Sequence, residues 1–184
     1  MTASAGAPDP RPLTGEPVSL DLLNTRWTQE GELRDLLVSV EGLRVWLAAH
    51  GLDGRFRADH VTLERTIEAR EALGGLIDGA GGAAAVARVD GVLEHGRVRV
   101  RLTAEGPGEE VEFGDPAWGP GWVAVRDYLE LLRTAPDRIR ACAHEACVLH
   151  FFDTSRNGTR RWCSMTLCGN RAKASRHYAR SRES

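Results

Sequence analysis

Cys142-Ala143-His144-Glu145-Ala146-Cys147 and, fifteen residues further on, Cys163-Ser164-Met165-Thr166-Leu167-Cys168 contain every cysteine of the chain. Each stretch reads C-x4-C. Two close thiol pairs separated by a loop suit a tetrahedral zinc ion, because each pair supplies two thiolates from one local turn. Two disulfides or ordinary buried thiols are the alternatives at this spacing. The segment around the cysteines has a thin apolar inventory: Ile139, Val148, Leu149, Phe151, Phe152, Trp162, Met165 and Leu167. Such a core is too small to fold well without a staple. Structural zinc supplies on the order of 10–16 kcal/mol in small modules. The pattern predicts one Zn2+ held by Cys142, Cys147, Cys163 and Cys168. His144, His150 and His177 are competing ligands, but four cysteines already close the shell, which argues against catalytic zinc.

Charge is distributed unevenly around this constellation. The formal net charge of the 184 residues is −2. Residues 138–182 nevertheless hold ten Arg or Lys against two acids, a net of +8, which leaves −10 on the remainder. This asymmetry points to a basic interaction module on an acidic carrier. Lys173 is the only lysine beside 23 arginines, so the placement of arginine carries information and its abundance does not.

Working outward from the cysteines, the rest of the chain reads as helices interrupted once by strands. Residues 1–17 are rich in Ala, Pro, Gly and Thr and lack the charged start and apolar stretch of a signal peptide. They read as a disordered leader on a cytoplasmic protein. No run of 18 apolar residues offers a transmembrane helix. Leu20, Leu23 and Trp27 form a helical stripe, with Asp21, Asn24, Thr25 and Arg26 beside it as candidates for lining a polar, ligand-binding pocket. A helix start with ordinary caps explains these four equally well. Residues 33–51 continue at helical spacing, with Ser39 as a cap and Gly51 as a stop. Further helices are predicted over residues 59–77 and 83–94. The period then changes to two: Val98, Val100 and Leu102 alternate with Arg97, Arg99 and Arg101, and Val111 and Phe113 alternate with Glu110 and Glu112. A β-hairpin turning at Gly106-Pro107-Gly108 is expected, with its arginines opposing glutamates rather than contacting nucleic acid. Trp122, Val125, Leu129 and Leu132 mark a last helix before Pro136. The fold class is α+β: a mainly helical domain with a hairpin over residues 18–135, then a small zinc-finger module over 137–182.

The stretch from Phe152-Asp153-Thr154-Ser155-Arg156-Asn157-Gly158-Thr159-Arg160-Arg161-Trp162-Cys163, followed by Cys168-Gly169-Asn170-Arg171-Ala172-Lys173, resembles the CGNR-type zinc finger of bacterial proteins. Leu20-Asp21-Leu22-Leu23-Asn24-Thr25-Arg26 is similar to the opening of the ABATE domain that usually precedes this finger. The resemblance implies the four cysteines as zinc ligands, a DNA-binding finger, and an N-terminal domain that binds a small molecule in stress-induced transcription regulation.

Physically, Ser155-Arg156-Asn157-Gly158 reads as a turn with positive φ at Gly158. Arg160 and Arg161 follow it, and Asn170 is expected to cap a terminal helix starting at Arg171. On that helix Lys173, Arg176, His177 and Arg180 share a face suited to a major groove or to phosphates. The candidate nucleic-acid contacts are therefore Arg156, Arg160, Arg161, Asn170, Arg171, Lys173, Arg176, His177 and Arg180. No P-loop, G-x-G-x-x-G, nucleophile elbow or HExxH occurs, so the expected function is a DNA-binding regulator and not an enzyme. A protein-interaction adaptor with a purely structural zinc is the other reading.

Overall fold

A six-residue helix, α1 (Val18–Leu23), is enclosed by the rest of the molecule, with Ser19 to Leu23 all buried. The computed structural model, which describes residues 8–79 and 81–173, packs it against α3 (His60–Ile77), α5 (Gly119–Thr134) and strand β6 (His150–Phe152). The backbone N–H and the Oγ of Ser19 both donate to Asp127 Oδ2 on α5, at 3.0 and 2.6 Å. A carboxylate from a neighbouring helix thus satisfies free N–H at the positive end of α1.

The helix ends at Leu23, earlier than the stripe Leu20, Leu23, Trp27 predicts. Trp27 lies instead on β1 (Arg26–Gln29), which pairs antiparallel with β2 (Glu32–Asp35). The two turn residues, Glu30 and Gly31, have φ of +54° and +83°, the left-handed pair that a tight hairpin turn requires. Trp27 still reaches the core, at 6% exposure. Helical spacing and hairpin geometry thus place the same residue inside, which is why the sequence pattern does not separate them. Residues 33–51 are likewise not one helix. Asp35 ends β2 and accepts from Leu37 N at 2.9 Å, opening a short turn over Leu36–Val38. Only then does α2 (Val40–Ala49) begin, capped by Ser39, which accepts from Gly42 N at 3.2 Å. Gly51 follows it with φ of +63°, as expected.

Asp35 also receives Arg70 of α3 in a two-pronged contact, at 2.7 and 2.8 Å, and Arg26 Nε at 3.0 Å. The Arg70 side chain is only 3% exposed and gives a third bond to Thr25 Oγ1 at 2.8 Å. Burial pushes the Asp35 carboxyl up, but the hydrogen bonds and charge of Arg70 and Arg26 outweigh it and hold the group below the ordinary carboxylate range.

Helix α3 is capped by Asp59, which accepts from Thr62 N at 2.9 Å, and α4 (Ala83–Leu93) follows. Strands β3 (Gly96–Thr103) and β4 (Gly106–Phe113) form the expected hairpin, but Thr103 pairs with Gly106. The turn is therefore at Ala104-Glu105, and Gly106-Pro107-Gly108 lies within β4. The register sets Arg97 opposite Glu112 and Arg99 opposite Glu110. The ion pairs run diagonally, Arg99 to Glu112 at 3.3 Å and Arg101 to Glu110. At the root, Phe113 meets Phe56 and Trp122 edge-on, with centroids 5.7 and 5.6 Å apart.

Residues 8–17 belong to the expected leader, yet they make specific contacts. The buried Arg11 pairs with Asp9 at 2.6 Å and with Asp21, and Glu16 accepts from Phe152 N at 2.8 Å. Residues 1–7 lie outside the described residues.

Two outcomes follow from this packing. A Cβ on Gly42 would overlap the Leu36 carbonyl, and that backbone cannot yield as a flexible side chain does. Gly42→Ala should destabilise the protein by about 1–3 kcal/mol, measured by urea unfolding. Asp35, with a depressed folded pKa, contributes stability above its unfolded pKa of about 3.9 and loses that contribution as pH falls through the lower folded value. Asp35→Asn should cost on the order of 3 kcal/mol near neutrality by stranding Arg70, and should flatten the loss of stability below about pH 4.

Candidate metal centre

The C-terminal segment begins with β5 (Ile139–Ala141), which pairs antiparallel with β6 so that Ile139 faces Phe152 and Ala141 faces His150. Cys142 leaves β5 with its N–H bonded to Leu149 O at 2.9 Å, which closes the intervening loop. Cys147 turns back inside that loop, its N–H donating to His144 O at 2.9 Å. Residues 153–160 fold around Asp153. Its buried carboxylate accepts from Ser155 N and Arg160 N, both at 2.9 Å, and the hydrogen bonds from Ser155 hold its carboxyl low. Gly158 has φ of +62° as expected. The Arg138 guanidinium lies 3.3 Å from where its Cβ would be, on its way to Asp153 O at 3.0 Å and to Ser155 O. Ala143 N then reaches Arg161 O at 2.8 Å, drawing the second cysteine pair toward the first.

That pair sits on a wide helical turn, Met165–Gly169, which starts at Ser164. Ser164 Oγ accepts from Thr166 N at 3.2 Å, while Cys168 N and Gly169 N both converge on Ser164 O at 3.1 and 3.0 Å. The helix runs on without a break, and Asn170 has helical φ and ψ of −71° and −37°. Asn170 is therefore inside the helix, and the cap expected of it belongs to Ser164. Gly169 packs its bare α-carbon against Met165 and Trp162.

The four Sγ atoms lie within 4.8 Å of one another. Cys147 and Cys163 are 3.8 Å apart, and Cys163 and Cys168 3.6 Å. A tetrahedron with Zn–S bonds of about 2.3 Å has S···S edges of about 3.8 Å, so the donor set fits zinc in both chemistry and size. All four thiols are free, and the bonded S–S length of about 2.0 Å is far shorter than either separation. Hydrogen bonding from Cys163 draws the Cys147 thiol down, and the same bond pushes Cys163 up, while burial pushes Cys168 up. Thiols this close resist a second ionisation unless a cation neutralises them. The imidazoles stand apart: His144 Nδ1 accepts from Ala146 N at 3.3 Å, and His150 Nε2 bonds Asp78 at 2.9 Å.

Residues 16–135, the greater part of the chain, match the ABATE family model, described as "Putative stress-induced transcription regulator", and residues 138–181 match the CGNR zinc finger. The chain belongs to the ABATE family and carries a four-cysteine zinc finger C-terminal to that domain. Comparison with curated proteins gave no match. Both families are regulator or zinc-finger types. No helix among the described residues is long and apolar enough to cross a membrane.

The structure divides the candidate nucleic-acid residues. Arg156, Arg161, Asn170, Arg171 and Lys173 are exposed, and the four cations among them form no ion pair among the described residues. Arg171 lines a cavity of about 320 Å³ together with Cys147, Cys163 and Cys168. Arg160 is committed internally: its guanidinium lies 4.2 Å over the Phe151 ring, donates to Trp162 O at 3.0 Å and to Cys163 O, and meets Glu16 at 3.6 Å. Arg176, His177 and Arg180 lie outside the described residues. Of the pocket candidates, Asp21 pairs with Arg11 and His50. Asn24 exchanges two bonds with His150, and Thr25 Oγ1 donates to Leu22 O at 2.7 Å. All three are fully buried. Arg26 alone among them is partly exposed, and it lines a cavity of about 370 Å³ with Arg70, Glu71, Asp78, Val148 and His150. The composition-based reading missed Arg138 and Asp153, the residues that shape the finger loop. The Asp153-Thr154-Ser155 turn pattern was the available signal.

Metal analysis should give one zinc per chain. Cys163→Ser, which removes the sulfur nearest two others, should lose that zinc and the ordered signals of residues 139–173, while far-UV circular dichroism keeps the signal of α1 to α5. A metal-free protein with a fully ordered finger would contradict the assignment.

Proposed function

We propose that the protein is a cytoplasmic DNA-binding transcription regulator in which Cys142, Cys147, Cys163 and Cys168 hold one structural zinc and the finger grips the phosphate backbone. The observation that carries the reading is the contrast between two sets of arginines. Arg99 and Arg101 of the β3–β4 hairpin pair with glutamates, whereas Arg156, Arg161, Arg171 and Lys173 have no carboxylate partner among the described residues and stand on a zinc-built scaffold. Matched charges have little left for phosphate, and unmatched ones release counterions when they bind it. The acidic remainder of the chain repels nucleic acid, so affinity is local to the finger.

The N-terminal domain is the sensing part of this proposal. The 370 Å³ cavity runs between α3 and β6 and is walled by residues of both the ABATE domain and the finger. Its size suits a small molecule. A ligand there touches Val148 and His150 of the finger directly, which supplies a route from occupancy to DNA affinity.

Retention on a DNA column across a salt series tests the DNA reading. Wild type should elute with log K falling steeply against log salt, by about 0.9 per phosphate contact. Changing Arg156, Arg161 and Lys173 together to Glu should abolish retention while leaving zinc content unchanged. Changing Arg97, Arg99 and Arg101 should leave retention intact and weaken the hairpin. Retention that follows the hairpin arginines, or a stable protein partner with no DNA retention, would overturn it.

A further inference from the structure

The cavity of about 320 Å³ beside the cysteines is walled by both parts of the chain. Pro10, Pro12 and the β1 end of the first hairpin contribute from the N-terminal side, and Cys147, Cys163 and Cys168 from the finger. Cys142 does not line it. The four thiols are also unequally shielded. Cys142, Cys163 and Cys168 are buried, whereas Cys147 is only partly so. The Cys163 sulfur lies 3.8 Å from that of Cys147, and Cys163 is fully buried. A small molecule in this cavity therefore reaches the Cys147 sulfur first, with a second sulfur close behind.

A four-cysteine zinc shell has no open position, so a molecule entering the cavity cannot bind the metal. What it meets is sulfur. Cysteine that ligates zinc is a thiolate, the nucleophilic form. An alkylating electrophile would consume one thiolate and leave its neighbour idle. A peroxide takes two electrons, and two adjacent thiolates supply them together.

We propose that Cys147 is a site of oxidation by peroxide, and that its product is a Cys147–Cys163 disulfide which releases the zinc. The Cys147 thiolate attacks one oxygen of hydrogen peroxide. An S–O bond forms, the O–O bond breaks, and the departing hydroxide takes a proton from solvent. The Cys163 thiolate then attacks the sulfenic sulfur of Cys147. The S–S bond forms, the S–O bond breaks, and a second hydroxide leaves and is protonated. Two thiolates, one peroxide and two protons become one disulfide and two waters. The sulfurs close from 3.8 Å to the bonded length of about 2.0 Å. Cys142 and Cys168 are then half a shell, too few to retain the ion, and the finger loses the cohesion its thin apolar core does not supply. A dithiol reductant reverses the step by thiol–disulfide exchange.

The full zinc-loaded chain, treated with millimolar hydrogen peroxide beside a chromogenic zinc chelator, tests this. It should release its zinc, while chelator without peroxide releases none over the same time. Peptide mapping without reduction should recover Cys147 joined to Cys163, and dithiothreitol with added zinc should restore the metal. Cys147→His keeps a zinc ligand at the accessible position and should release zinc at least tenfold more slowly under peroxide. Because that change could disturb the finger, Ala146→Phe serves as the second variant. Ala146 is exposed and lines the cavity beside Cys147, so the substitution keeps all four ligands, narrows the approach and should slow release severalfold. Zinc-loaded protein that keeps its metal under peroxide, a first cross-link that excludes Cys147, or release unchanged in both variants would overturn the proposal. Protein that carries no zinc beforehand would overturn the metal assignment and this proposal with it, so the two failures are distinguishable.

Discussion

Two hydrogen bonds of 2.8 Å tie the Asn24 side-chain amide to the backbone of His150, one donated to its carbonyl and one accepted from its N–H. Asn24 caps α1, the helix the N-terminal domain is built around, and His150 opens the second strand of the finger. Two residues on, Phe152 N–H donates to Glu16. Strand β6 spends one edge on β5, and its other edge points at α1. With no strand there, the side chains of Asn24 and Glu16 take the place of one. Buried backbone polar groups left without partners cost about 1–3 kcal/mol each, so this substitution is what lets the edge of a three-residue strand sit inside the protein. The finger therefore rests on the ABATE domain through its own backbone.

From that seam the remaining features follow in order. Holding β6 in place fixes β5 and with it Cys142, the first thiol of the cluster. Asp153, directly after β6, gathers the loop that returns the chain to Cys163. The thiols meet at the edge length of a zinc–sulfur tetrahedron, and the metal supplies the cohesion that a thin apolar core cannot. Arg160 and Arg138 are consumed in bracing this loop, so the cations left without a carboxylate partner among the described residues are Arg156, Arg161, Arg171 and Lys173. The seam also borders the cavity that contains Arg26.

Much of this was legible in the sequence, for identifiable reasons. The cap at Ser39 and the stop at Gly51 are local signals, and local hydrogen bonding decides them. The cysteine spacing and the positive φ of Gly158 are equally local. The misread elements share a cause. Trp27 satisfies both a helical stripe and a hairpin, because each requires only that it face the core. Gly106-Pro107-Gly108 looks like a turn, but the alternating register of β3 against β4 moves the turn to Ala104-Glu105. Asn170 looks like a cap, but Ser164 starts the helix earlier because Cys168 must reach the other thiols. For Asp21, Asn24 and Thr25 the sequence left a pocket and a structural role equally open, since their partners Arg11, His150 and Arg70 lie 10, 126 and 45 residues away. Polar residues beside a buried stripe look the same whether they face a ligand or another part of the chain.

Amide hydrogen exchange at His150 and Phe152 in the zinc-loaded protein tests the seam most directly. These N–H groups belong to a three-residue strand, and their partners are side chains of the N-terminal domain. Protection comparable to that of the α1 amides is expected, with Asn24→Ala accelerating His150 selectively while zinc remains bound. Rapid exchange at both positions in the wild type, beside a protected α1, would contradict it and would mean that the finger is held to the domain by something other than this bond pair.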